Sequence, residues 1–125
     1  MVIFVKEIKG VAMNKIKKTY ERMNEVEAKF KVSDNALTVK LSGEIDAQSV
    51  GVLRRKIDVE YDCSAVKNMI FDFKEVNFMD SSGIGLIIGR YKRVAALGGY
   101  VKIKNANKTL KRIIELSGLG RIVRL

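Results

Sequence analysis

Asp80, Ser81 and Ser82 stand together in the stretch NFMDSSGIGLIIGRYKR, Asn77 to Arg93, just ahead of an apolar run spaced by glycines. An aspartate followed by two hydroxyls at such a place has four uses: to cap a helix, to supply a nucleophile, to cradle a phosphate, or to receive a covalent mark. A cap needs one oxygen accepting from a first-turn N–H, and three consecutive capping residues exceed that need. A serine at a helix N-terminus is also a good seat for a phosphoryl group, because free N–H groups and the helix dipole favour negative charge there. Asp80 opposes that charge, so the site would respond to an anion without being a sink for one.

Nucleophilic catalysis lacks its partners. The chain contains no His, so no Ser-His-Asp or Cys-His relay can form, and a serine nucleophile would need a lysine base. There is no G-x-S-x-G elbow, no P-loop and no His/Cys cluster with metal-ligand spacing. The glycines of GIGLIIG fall at positions 83, 85 and 89, inside the expected helix, and make no dinucleotide fingerprint. The expectation is a protein that is not an enzyme and that carries no cofactor. Gly85 and Gly89 share one helix face and make it thin. Either another element of the same chain packs closely there, or a second protein approaches. Ile84, Ile87, Ile88, Tyr91 and Ala95 are the expected core face of this helix.

The elements that position these residues follow from hydrophobic periodicity. Alternation in EAKFKV and ALTVKLSG predicts a hairpin turning at Ser33–Asn35. Val50, Leu53, Ile57 and Tyr61 predict a helix over 47–61, with Asp46 as its N-cap. NMIFDF, residues 68–73, reads as a buried strand. The helix after Ser81 ends at Gly98-Gly99, YVKIKN is a strand, and NKTLKRIIELSG is a helix with Leu110, Ile113, Ile114 and Ser117 inward. RIVRL reads as a last short strand. The order β-β-α-β-α-β-α-β implies an α/β domain with a mixed, mostly parallel sheet, an antiparallel N-terminal hairpin, and helices mainly on one face. The site then lies at the carboxyl end of a central strand, where ligands gather in open α/β sheets. Residues 1–26 read as an N-terminal extension, partly helical, with Ile16, Tyr20 and Met23 as a narrow apolar stripe on a basic helix, and residues 27–125 as the domain.

The 125 residues suit one domain, and the lone Cys63 permits no internal disulfide. No secretory signal is legible, and no apolar run approaches the ~18 residues needed to span a bilayer. The expected location is the cytoplasm. The formal charge is +10 and uneven: residues 1–89 carry 14 basic and 13 acidic side chains, whereas residues 90–125 carry 10 basic ones against Glu115 alone.

SGEIDAQ, MDSSGIGLIIGRYKR and IIELSGLGRIVRL, taken together, resemble the bacterial anti-sigma factor antagonists of the STAS fold, leaning toward the sporulation members. The resemblance covers about residues 24–125. It implies partner switching. The unphosphorylated protein binds an anti-sigma factor that is also a serine kinase and so releases a sigma factor. The kinase then phosphorylates the first serine after the aspartate, Ser81, which ends binding, and a metal-dependent serine phosphatase reverses the mark. By the same matching, Asp46, Asp80, Ser81, Ser82, Gly83 and Ile84 surround the docking surface, and neither a membrane nor directly contacted nucleic acid is a partner. This chain departs from the family in three ways. The family usually carries a further helix after the position of Leu125, the segment before residue 24 has no counterpart, and Asp72 stands where relatives often have Asn. The alternative is a basic nucleic-acid-binding α/β domain, with cations at 90, 92, 93, 108, 111, 112, 121 and 124 lining one face.

Overall fold

The structure, a computed structural model, describes residues 26–125. The strand and helix expected within residues 1–25 lie outside the described residues. β1 (Glu27–Ser33) and β2 (Ala36–Ile45) form the antiparallel hairpin, closing on the Ser33–Ala36 pair. Asp34 and Asn35 between them have φ of 51° and 58°. A two-residue turn matched to strand twist requires this left-handed pair, which Asp and Asn tolerate best after glycine. α1 (Val50–Ser64), β3 (Asn68–Met79), α2 (Ser81–Ala96), β4 (Val101–Lys104) and α3 (Lys108–Leu116) follow. The sheet order is β1-β2-β3-β4, with β2, β3 and β4 mutually parallel. α1 packs on β1 and β2, and α2 packs on β3 and β4.

The core is the inner face of the sheet against these helices. Leu37, Val39 and Leu41 of β2, Met69, Phe71 and Phe73 of β3, and Val101 and Ile103 of β4 are all buried, as are Leu53, Ile57 and Tyr61 of α1. Each large apolar side chain removed from water contributes roughly 1.5–3 kcal/mol. Tyr61 keeps its polar tip satisfied by donating to the Lys67 carbonyl at 2.6 Å, and burial pushes its phenol above the ordinary value.

Four boundaries differ from the periodicity. α1 starts at Val50, three residues later than expected, because residues 47–49 form a separate turn held by Asp46. β3 runs on from Phe73 to Met79. Two irregularities in its pairing with β2, at Lys40/Ser42 and Gly43/Glu44, break the alternation that would have revealed it. α3 is shorter, with Asn107 as its cap and Gly118 left-handed beyond its end. Ser117 is exposed rather than inward, and its hydroxyl donates to the Ile114 carbonyl. RIVRL makes a single parallel bridge, Arg124 beside Lys102, after a short 3-10 turn at Leu119–Arg121. That turn consumes the residues a fifth strand would need.

Candidate functional site

β2 and β3 end side by side: Ile45 pairs with Met79, and the Asp80 N–H donates to the Ile45 carbonyl at 3.2 Å. Asp46 and Asp80, the next residue of each strand, therefore emerge together at the carboxyl edge of the sheet. They do the same local work. Asp46 Oδ1 accepts from the N–H groups of Gln48 and Ser49, each at 3.0 Å. Asp80 Oδ1 accepts from the Ser82 N–H at 2.8 Å. Asp80 is the N-cap of α2. Asp46 closes the turn before α1, and the helix cap itself falls to Ser49.

With capping done by Asp80, Ser81 is the first residue of α2 and is exposed. Ser82 is half-buried. Ile84 is half-buried one turn on, packed at the margin of the core. Asp46, Asp80, Ser81 and Ser82 thus share one edge. Gly83 does not share it: it is buried, and a β-carbon there would collide with the Met79 side chain and stand 3.2 Å from Ile45 Cγ2. Close helix–strand packing explains that glycine. Phe78, 48% exposed at the end of β3, joins the edge opposite Glu44. The sequence reading missed it by ending the strand at Phe73.

The core face of α2 is Gly83, Leu86, Ile87, Arg90 and Val94, rotated from the expected one. Ile84, Ile88 and Tyr91 sit at its margin, and Ala95 is exposed. The rotation follows from Arg90, which periodicity assigns to solvent. Arg90 is 6% exposed, with Nε 2.9 Å from Asp58 Oδ1 of α1. Arg93 reaches the same Asp58 oxygen and Asp62 Oδ1, each at 2.7 Å. Burial lowers the Arg90 pKa, against the pull of Asp58. Among the described residues nothing packs over Gly85 or Gly89, where an added β-carbon would meet open space. Intramolecular packing therefore does not account for them. Gly83→Ala should cost about 1–3 kcal/mol by forcing Met79 to repack. Gly85→Ala and Gly89→Ala should each add up to ~1 kcal/mol. Urea denaturation of the three variants reads both signs.

Of the eight cations expected on one surface, Arg90 and Arg93 are held by acids of α1, and Arg124 lies over the Tyr100 ring, 4.0 Å from its centroid. Among the described residues no group of His, Cys, Asp and Glu could hold a metal ion, and no helix is long and apolar enough to cross a membrane.

Comparison with known proteins agrees with this architecture. The STAS domain family model matches residues 27–125. The anti-sigma F factor antagonist of Paenibacillus polymyxa is 34% identical over 87 residues, covering 70% of this chain and 74% of that protein. The anti-sigma-B factor antagonist of Bacillus subtilis is 34% identical over 93 residues, covering 74% and 84%. The anti-sigma factor antagonist SpoIIAA, solved unphosphorylated, superimposes with a TM-score of 0.68 at 31% identity, over 78% of this chain and 85% of that one. The phosphorylated form of SpoIIAA, a Bacillus cell fate determinant, gives 0.61 at 32% identity, over 78% and 87%. The four-stranded mixed sheet, the three helices and the matched sequence together place this chain in the STAS domain family, with the anti-sigma factor antagonists as its relatives.

Proposed function

We propose that the chain is a non-enzymatic partner switch controlled by phosphorylation of Ser81. Unphosphorylated, it binds an anti-sigma factor serine kinase and so releases a sigma factor. Phosphorylated on Ser81, it lets go, and a metal-dependent serine phosphatase returns it to the binding form. The docking surface is the edge formed by Asp46, Asp80, Ser81 and Ser82 with Ile84 beside them. One observation carries the reading: Ser81 is exposed at a helix N-terminus whose cap is supplied by the residue before it. The serine is thus free to be modified without unmaking the helix. That the relative SpoIIAA exists in both phosphorylated and unphosphorylated forms supports control by phosphorylation.

The test is to incubate the chain with the kinase and ATP and map the phosphate. The expected result is a single site at Ser81. Phosphate found only outside Ser81 and Ser82 removes the mechanism. Ser81→Ala should bind as the unmodified chain does and stay bound when ATP is added, which size-exclusion chromatography of the mixture reads directly.

A further inference from the structure

The sheet has a second face, over which no helix is described. Strand alternation points the side chains of Leu37, Val39, Met69 and Phe71 into the core, so their neighbours point the other way. Pairing across the strands sets these outward residues in rows. Two are basic: Lys29, Lys40, Asp72 and Lys104, and Lys31, Thr38, Ile70 and Lys102 with Arg124 bridged beside Lys102; the next row, Glu27, Ser42 and Glu75, carries two acids toward the Ser81 edge. Lys29, Lys31, Lys102, Lys104 and Arg124 are exposed, and Lys40 is half-exposed. Asp72 is the one acid in the two rows. Burial alone would raise its pKa, but a hydrogen bond from Asn105 at 3.0 Å, another from the Lys74 N–H, and the neighbouring Lys104 and Lys40 hold it lower. It therefore offsets a single cation. The lysine pairs on β1 and β4 stand about 14 Å apart across three strand spacings.

Against the expectation drawn from the family resemblance, which includes no membrane partner, we propose that this face is an electrostatic docking surface for an anionic lipid bilayer. Its chemistry selects against the other polyanions. Protein interfaces are depleted of lysine and anchored by aromatic residues or arginine; the ring beside the two basic rows, Tyr100, already has its face covered by Arg124, and the exposed Phe78 lies beyond them at the Ser81 edge. Single-stranded nucleic acid needs open rings for base stacking, and duplex readers insert a helix or ribbon into a groove. A charged bilayer needs neither. It asks only for point charges on flexible stems that reach a common plane, which is what lysines on a sheet provide. Docked in this way, the domain would keep its Ser81 edge to the side, open to a partner.

The linear charge count concealed this face because its cations are drawn from positions 29 to 124 and assemble only through pairing. The test is co-sedimentation of the full chain with vesicles, either wholly phosphatidylcholine or one-third phosphatidylglycerol. Binding is expected to the anionic vesicles alone, and to fall at least ~10-fold between about 50 and 300 mM KCl as screening grows. Lys31→Glu/Lys102→Glu should reduce partitioning at least ~20-fold, whereas Lys108→Glu/Lys111→Glu on α3 should change it less than ~3-fold. Circular dichroism establishes that both variants are folded. Failure to bind anionic vesicles overturns the proposal, as does equal loss in the two variants. So does a mixed-sequence DNA duplex that binds more tightly through the same lysines. None of these outcomes touches the Ser81 switch, which phosphate mapping tests separately.

Discussion

Phosphorylated on Ser81, the chain should bind the anti-sigma factor kinase proposed as its partner about 150- to 1000-fold more weakly than the unmodified chain, a loss of ~3–4 kcal/mol. The phosphoryl group brings roughly −1.5 to −2 charges at neutral pH. It sits next to Asp80, whose carboxylate is fixed by its bond to the Ser82 N–H, and near Asp46 at the same edge. An interface closing over this edge must desolvate three neighbouring anionic groups. The fold itself should barely register the mark. Ser81 is exposed and stands at the positive end of the α2 dipole, so the melting temperature should move by no more than about 2 °C. Calorimetric titration of both forms against the kinase, paired with thermal melts, measures the two quantities together. Equal affinity of the two forms would end the switch reading. Weak binding accompanied by a collapsed melting temperature would show damage in place of switching.

The second large effect is on stability. Asp58→Ala should lower unfolding free energy by about 2–3 kcal/mol, somewhat less than for a fully buried pair because Asp58 keeps partial solvent access. The side chains of Arg90 and Asp58 are 8% and 27% exposed. Without Asp58, the buried guanidinium has no counter-charge and Arg93 stands beside it. In a domain of this size that loss corresponds to a fall of roughly 10–20 °C in melting temperature. Arg90→Met should cost no more than about 1 kcal/mol, because an apolar chain of similar length fills the same space and leaves Asp58 paired with Arg93. The asymmetry between the two variants is the diagnostic. If both fall equally, Arg90 acts through packing and the ion pair is incidental.

How much of this was legible from the residues depended on whether each signal was local. The hairpin and the strand–helix alternation were local and read correctly, since turn chemistry and periodicity act within a few residues; the caps were less legible, because neighbouring residues of capping type compete, and Asp46 gave way to Ser49 at α1. The end of β3 was hidden by its pairing irregularities, which shift side chains off the period-two pattern and so concealed Phe78. The face of α2 was misjudged because burial of Arg90 depends on Asp58, 32 positions earlier; no window along the chain contains both. The basic sheet face was invisible for the same reason. At the site, Asp46 and Asp80 were named through resemblance. The backbone bond from Asp80 to Ile45 supplies the physical reason that they belong together.

Gly85 and Gly89 have a further consequence. A helix that keeps two glycines where alanine would fit is held below the stability its own backbone permits. The surplus has been given up along the outward flank of α2, where the missing side chains leave the helix backbone uncovered. Selection for thermal robustness alone would therefore drift this sequence toward alanine at those positions and, in doing so, would thicken that flank.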